Sequence, residues 1–231
     1  MLADASCIDC ARDLARLGFR SPDHDDSFGG KHLHIAHNAI SLFLDIGQGA
    51  GIAGATGVRP FLPPLLVGAL ASSDAGIDFD GTDWKFLEQP AFLGVVLALT
   101  VASYGAERSG ANRLLISRLT GLVAVVLGAL LFAGALAAGG NEAWPGLVGG
   151  AACAALAFVA VGELLGRARS RLDPGAAALL PIYADGAALL LAALAVFVEP
   201  LGFLGLLAFA FLLVGGRRGE DRKYAGLRIL R

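Results

Sequence analysis

Two charged residues stand inside strongly apolar stretches of the sequence. Arg59 lies within GATGVRPFLPPLLVGAL (54–70), and Asp185 lies within LLPIYADGAALLLAAL (179–194). A lone charge at the centre of a bilayer costs ~2.5–3.5 kcal/mol even on the most lenient scale, and such residues commonly mark functional sites. Arginine also suits phosphate recognition. Each of the two residues is therefore predicted to be paired, to face water or to contact a substrate.

Arg59 shares one side of a predicted helix with other polar residues. At about 100° per residue, Asp45, Gln48 and Thr56 fall on its face, together with Ile52. Asp45 is a poor counter-ion because fourteen helical positions place it roughly 21 Å away. Asp185, near Pro181 and Tyr183, is the better partner, and we expect an ion pair or a water-bridged contact. The predicted cavity or substrate-binding residues are Asp45, Gln48, Thr56, Arg59, Tyr183 and Asp185.

Alternatives remain for these groups. Arg59 could snorkel near an interface or serve as a structural tie to a carboxylate. Glu163 precedes Arg167 by four residues, which predicts an ordinary ion pair within one helix.

The N-terminal arm, residues 1–37, contains cysteine and histidine, which are side chains that bind zinc and related metals. The spacing matches no standard zinc finger, and a disordered or lightly helical arm is the favoured interpretation. A redox role for the CxxC pair lacks the βαβ context that would support it. No cofactor is predicted, and the metal candidates are Cys7, Cys10, His32, His34 and His37.

The segment DAGIDFDGTDW (74–84) is rich in aspartate. An EF-hand needs glycine at its sixth position and glutamate at its twelfth. Counted from Asp78, Gly81 comes fourth and Glu88 falls one place short. A solvated acidic loop is the favoured interpretation, and a calcium site is the alternative.

Composition and hydropathy indicate a membrane protein. Of the 231 residues, 56% are hydrophobic and 16% charged, whereas soluble domains carry about 25% charged residues. The apolar residues form blocks near the length of about 20 residues that spans a bilayer. The formal net charge of −2 argues against nucleic acid as a partner. The predicted partner is the lipid bilayer, and the blocks are 91–106, 119–138, 146–166, 176–198 and 200–216.

Basic residues are concentrated in alternate connections, which predicts orientation because positive loops stay cytoplasmic. Six crossings, with both termini inside and 72–90 outside, satisfy every loop. The fold prediction is an all-α polytopic bundle with a cytoplasmic arm (1–37), a transmembrane domain (38–216) and a basic cytoplasmic tail (217–231). Three segments on each side of the midpoint would also suit an inverted repeat.

The first apolar segment carries two further features. Three prolines predict that its helix breaks at Arg59-Pro60 and resumes toward the outer surface. Gly47, Gly51 and Gly54 line the face opposite the polar one. That face predicts close helix packing, either within the chain or in a homo-oligomer.

The runs DIGQGAGIAGATGVRPFLPPLLVGALA and GIDFDGTDWKFLEQPAF, with the Gly- and Ala-rich helices after them, resemble the domain-of-unknown-function 4126 membrane family. The resemblance runs from about Leu42 to Leu213 and is most specific at 57–63. It implies a polytopic protein of the bacterial cytoplasmic membrane and no particular chemistry.

Three functions are compatible with these features. A small transporter or channel is favoured by the broken helix and its polar face. An enzyme acting on lipid-linked substrates would use Asp45, Arg59 and Asp185, but the apolar segments contain no histidine or metal cluster for hydrolysis. A structural or assembly subunit would use the glycine face.

Overall fold

The computed structural model describes residues 27–73, 75–108, 113–198 and 200–225, with side chains described within 39–215 except at 74, 107–114, 174 and 199. The chain divides into two compact units, Met1–Ala39 and Ile40–Arg231. The second unit contains every contact discussed below.

The described residues form helices and no strand. A short 3-10 turn, Lys85–Leu87, precedes the third helix. The predicted all-α class is confirmed. The helices are α1 (Ser27–Val58), α2 (Leu62–Ala71), α3 (Pro90–Arg108), α4 (Arg113–Ala138), α5 (Trp144–Arg169), α6 (Pro174–Ala177), α7 (Leu180–Phe197) and α8 (Leu201–Ala225).

Within the described part of the chain, three segments are long and apolar enough to cross a membrane: Leu115–Ala138, Trp144–Arg169 and Gly175–Phe197. Three shorter apolar helices accompany them, over Leu62–Ala71, Pro90–Ala106 and Leu201–Gly215. Length and composition of these helices indicate a membrane protein.

The predicted break at Arg59-Pro60 is confirmed, since α1 ends at Val58 and α2 begins at Leu62. Pro60 has no amide hydrogen to continue the α1 ladder. Pro63 and Pro64 stand in the first turn of α2, where a missing donor costs nothing, and both are buried. Three prolines therefore end one helix and allow the next to start at once.

The path after the break differs from the prediction. The side-chain amide of Gln48, in α1, donates to the carbonyl of Gly76 beyond α2 (3.3 Å) and to that of Val196 (3.2 Å). Ile52 of α1 and Val67 of α2 share one buried cluster. The chain therefore turns back at the break, and α1 and α2 form a helical hairpin. The start of the hairpin near Gln48 and its end near Gly76 lie at the same end of the bundle.

Other contacts identify that end. Phe43 stacks on Phe203 at the start of α8, with ring centroids 4.5 Å apart. Asn141, between α4 and α5, donates to Asp45 at 2.8 Å. We call this the loop end, because it carries the connections 72–89, 139–143 and 198–200. The opposite end is here called the basic end, because α3 ends there at Arg108, α4 begins there at Arg113 and α5 ends there at Arg169.

The predicted six crossings and inverted repeat are not confirmed. Among the described helices, α3, α4, α5, α7 and α8 link the two ends, whereas α1 and α2 together return the chain to the loop end. Residues 43–48 lie at the loop end, and Leu212 and Leu213 pack near Val161 toward the basic end. The side of the membrane on which each terminus lies stays a prediction.

The glycine face of α1 is occupied within the chain. A Cβ atom at Gly51 would lie 2.6 Å from Ala195 Cβ and 2.8 Å from Gly202 Cα, and one at Gly54 would lie 3.2 Å from the Phe209 ring. The backbone of Gly47 likewise touches Gly202. This face packs against α7 and α8 within the chain, as one of the two predicted alternatives requires. A homo-oligomer stays a prediction.

The connection 72–89 is less solvated than predicted. Ile77, Phe79 and Leu87 are buried in the main hydrophobic cluster, with Phe79 fully buried. The carboxylates of Asp78 and Asp80 remain on the outside. The segment is therefore an apolar cap over the loop end with an acidic outer surface.

Candidate functional site

Arg59 is held at the tip of the hairpin by groups from α7. Its Nε lies 2.5 Å from Oδ1 of Asp185, and its Nη2 donates to the carbonyl of Pro181 at 3.2 Å. The two side chains are 20% and 17% exposed. The predicted Arg59–Asp185 ion pair is confirmed. Partial burial strengthens the attraction between the two charges relative to the same pair in bulk water.

The second oxygen of Asp185 has its own partner. The hydroxyl of Tyr104, on α3, donates to Oδ2 at 2.5 Å. The carboxylate thus joins three elements: the hairpin tip, α3 and α7. Sequence reasoning missed Tyr104. A signal was present, because Thr100, Ser103 and Tyr104 have the i, i+3, i+4 spacing of one helix face.

A cavity of ≈ 980 Å³, here called the vestibule, extends from this cluster toward the basic end. The hairpin tip, α3, α4, α5 and α7 surround it. Among the described side chains, its charged lining residues are Arg59, Asp185 and Arg169, and the last of these is exposed at the basic end. The other lining residues are Val58, Pro60, Tyr104, Ala106, Ile116, Ser117, Thr120, Phe158, Val161, Gly162, Leu165, Ala177, Ala178, Pro181 and Ile182.

A second cavity of ≈ 20 Å³ also borders the ion pair. Thr100, Ser103 and Thr120 are among its lining residues, beside Arg59 and Asp185. A polar space of this size can hold one water molecule.

A family model described as a domain of unknown function (DUF4126) matches residues 46–217. The chain belongs to the DUF4126 family. The matched region contains the hairpin tip, α2, the ion pair and the described lining residues of the vestibule, and it agrees with the range expected from the resemblance. No curated protein and no solved structure matches the chain.

The polar residues that share one face of α1 do not share one environment in the structure. Thr56 is fully buried, and its hydroxyl donates to Ile52 in the same helix at 2.9 Å. Gln48 and Asp45 contact the loop end, as described above. A face that extends roughly 21 Å along the helix meets different neighbours at each depth, so sharing a face did not place these residues in one cavity.

Tyr183 is the remaining predicted residue. Its side chain is 72% exposed on the outer surface of α7. Two helical positions rotate a side chain by about 200°, which directs Tyr183 away from Asp185. Of the six predicted residues, the vestibule brings together Arg59 and Asp185.

The predicted metal ligands fall largely outside the description. Cys7 and Cys10 lie outside the described residues, and His32, His34 and His37 lie in the part of α1 whose side chains are not described. Among described side chains, the carboxylates of Asp78, Asp80 and Glu88 come within 4.8 Å of one another.

Lys85 interacts with this acidic group. Its ammonium lies 2.6 Å from Asp80. The hydrogen bond from Lys85, followed by its charge, lowers the pKa of Asp80. Partial desolvation, followed by the charge of Asp80, raises the pKa of Glu88. The ammonium thus already compensates part of the negative charge.

Proposed function

We propose that this DUF4126 protein is a small transporter or channel whose vestibule receives a polar solute. The observation that carries the proposal is the Arg59–Asp185 pair at the inner wall of a cavity of ≈ 980 Å³. Broken helices whose irregular backbone faces a cavity form the binding sites of many transporters. Non-helical backbone at membrane depth is tolerated where it is buried in protein or lines such a cavity.

The orientation follows from charge. Arg167, Arg169 and Arg171 flank the connection after α5, and Arg113 and Arg118 begin α4. Positive loops favour the cytoplasm, so the basic end would face inward in a bacterial cytoplasmic membrane. The vestibule then opens to the cytoplasm, and the bundle portion of α1 begins on the outer side.

Cysteine accessibility tests whether the vestibule contains water. Ser117→Cys and Ala178→Cys would be made in a chain whose native cysteines are replaced, and treated with a charged, impermeant thiol reagent. We expect rapid modification from the basic end, because only a hydrated thiol ionises readily to the reactive thiolate. Leu122→Cys and Val159→Cys are matched controls on α4 and α5, since both side chains are exposed on the apolar outer surface.

Equal, slow modification at all four positions would contradict a hydrated vestibule. Transport itself is measured as solute flux into proteoliposomes of purified protein, with Arg59→Gln as the inactive comparison. Unchanged solute flux in Arg59→Gln would indicate that the Arg59–Asp185 pair does not lie on the transport path.

An enzyme acting on lipid-linked substrates is the second proposal, favoured by the guanidinium of Arg59 within reach of the vestibule. Turnover of a lipid extract by the purified protein tests it. A structural or assembly subunit is the third, and it predicts neither flux nor turnover.

A further inference from the structure

Both members of the Arg59–Asp185 pair face the vestibule. Nε of Arg59 lies 2.5 Å from Oδ1 of Asp185, both residues line the cavity, and their side chains are 20% and 17% exposed. A solute in the vestibule therefore meets a cation and an anion within one hydrogen-bond length of each other. The two groups prefer different partners, because a guanidinium matches the oxygens of a carboxylate or phosphate, whereas a carboxylate accepts from N–H donors.

Each member of the pair also has a contact that does not involve the other member. Nη2 of Arg59 donates to the Pro181 carbonyl at 3.2 Å, and Oδ2 of Asp185 accepts from the Tyr104 hydroxyl at 2.5 Å. These contacts can hold both side chains near their present positions when the direct pair opens. A site whose groups are already in place loses less conformational entropy on binding.

The charge of the solute decides the cost of opening the pair. A solute with a single charge replaces one half of the pair and deprives the other, partly buried member of this counter-ion, which is costly. A solute that carries both charges supplies an oxyanion to Arg59 and an ammonium to Asp185. The pair therefore favours a zwitterion over a simple anion or a simple cation.

An apolar surface of the vestibule lies along α5. Phe158, Val161 and Leu165 have the i, i+3 and i+7 spacing of one helix face, and all three line the cavity together with Gly162. A Cβ atom at Gly162 would meet no described atom within 4 Å, so the space beside this surface is open. An apolar group attached to the zwitterion can be buried there.

We infer that the vestibule binds a zwitterion that carries an apolar group, with its oxyanion at Arg59, its ammonium at Asp185 and its apolar group against the α5 surface. This inference rests on the proposed function and names the class of solute. Two sources share this chemistry: a free α-amino acid with an apolar side chain, and the headgroup of phosphatidylethanolamine with its acyl chains.

L-Leucine is the probe for the free amino acid. Equilibrium dialysis measures the binding of radiolabelled leucine to the purified full-length chain in an uncharged detergent at about pH 7, where leucine is a zwitterion. Isocaproate is leucine without the amine, and isoamylamine is leucine without the carboxylate. We expect each of these competitors to bind at least ~10-fold more weakly than leucine, because each lacks the charge-assisted hydrogen bonds to one member of the pair.

A double variant tests whether the pair is the binding site. Arg59→Gln combined with Asp185→Asn removes both charges and strands neither, and it should lose leucine binding. Glu163→Gln is the matched control, because Glu163 pairs with Arg167 at 3.7 Å on α5 and is not among the described lining residues of the vestibule. This control should bind leucine as the wild type does.

A second set of variants tests the apolar surface and leaves the ion pair intact. A Cβ atom at Gly162 or at Gly166 meets no described atom within 4 Å, so a larger side chain can start at either position without a clash. Gly162 lines the vestibule, whereas Gly166 is not among its described lining residues. Gly162→Trp should weaken leucine binding, and Gly166→Trp should leave it unchanged.

Native mass spectrometry separates the two sources of zwitterion. The purified chain is mixed with phosphatidylethanolamine or with phosphatidylcholine, whose fully methylated ammonium has no N–H to donate. Selective retention of phosphatidylethanolamine, lost in the double variant and accompanied by no leucine binding, would assign the site to the lipid headgroup. Leucine binding that the double variant loses would assign it to a free amino acid.

Four results would overturn the inference. They are the absence of both leucine binding and selective retention of phosphatidylethanolamine, an affinity for isocaproate or isoamylamine equal to that for leucine, binding that persists in the double variant, and equal leucine binding by the two tryptophan variants. If the double variant does not fold, the competitors and the glycine positions still decide, because both use chains with an intact ion pair. Thiol accessibility keeps the outcomes separate, since a hydrated vestibule that binds no zwitterion rejects this inference and leaves the proposed function standing.

Discussion

Removing either member of the Arg59–Asp185 pair should destabilise the protein more than removing both. Arg59→Ala leaves the Asp185 carboxylate with Tyr104 but without its cation. Asp185→Ala leaves the guanidinium with the Pro181 carbonyl and without the Asp185 carboxylate. The two side chains are 20% and 17% exposed, so neither stranded charge can recover full hydration.

The magnitude follows from this burial. Breaking a buried pair by removing one partner costs about 3–5 kcal/mol, and partial exposure places the present pair near the lower limit, at about 3 kcal/mol. In the double variant no charge is stranded. We therefore expect a total loss of about 3–4 kcal/mol rather than the additive ~6, which corresponds to a coupling of about 2–3 kcal/mol.

The free energy of unfolding in detergent is the appropriate measurement, taken for the wild type, both single variants and the double variant. Tyr183→Ala is a suitable control, because this side chain is exposed on the same helix. Strictly additive losses would refute the pairing argument. Arg59 and Asp185 would then be stabilised independently, through Pro181 and Tyr104.

Three further predictions concern packing, topology and charge. Gly51→Ala should cost about 1–3 kcal/mol of stability because its Cβ would meet Ala195 and Gly202. Gly94→Ala places its Cβ in open space and should gain about 0.5–1 kcal/mol. The opposite order of the two variants in thermal unfolding would contradict the helix packing. Single cysteines at Ser41 and Ser72 should label from one side of the membrane and Ser170 from the other, and opposite-side labelling of Ser41 and Ser72 would exclude the hairpin. The pKa of Glu88 is raised in the folded protein, so its ionised form destabilises the fold at pH values above the folded-state pKa. This destabilisation disappears as the pH falls below the unfolded-state pKa. Glu88→Gln should therefore raise the melting temperature slightly at about pH 7 but not at about pH 3, and an equal rise at both pH values would exclude the charge effect.

The sequence predicted the features that depend on local chemistry. Prolines located the break at Arg59-Pro60, and the cost of an isolated charge linked Arg59 to Asp185 across 126 positions of sequence. Neither prediction needed the direction of the chain. The pairing prediction requires only that two opposite charges lie at similar depth in the membrane, where each needs a counter-ion.

The direction of α2 could not be predicted from these signals. Hydropathy reports which residues lie in lipid, and a proline break leaves open whether the chain continues or reverses. A ten-residue helix spans about 15 Å, half of a hydrocarbon core of about 30 Å. The length of α2 therefore does not determine whether the chain continues across the membrane or reverses. The burial of Phe79 was missed for a related reason, because two apolar residues among aspartates, Ile77 and Phe79, are too few to define a buried face.

The reversal makes the two ends of the bundle unequal. At the loop end, Gln48 ties α1 to the connection after α2 and to the end of α7, while Ile77, Phe79 and Leu87 fill the space beside them. At the basic end, the vestibule reaches the hairpin tip between α3, α4, α5 and α7. The described arrangement is therefore open toward one end alone. Under the proposed function, passage of a solute through the bundle would require the Gln48 hydrogen bonds and the apolar cap to separate.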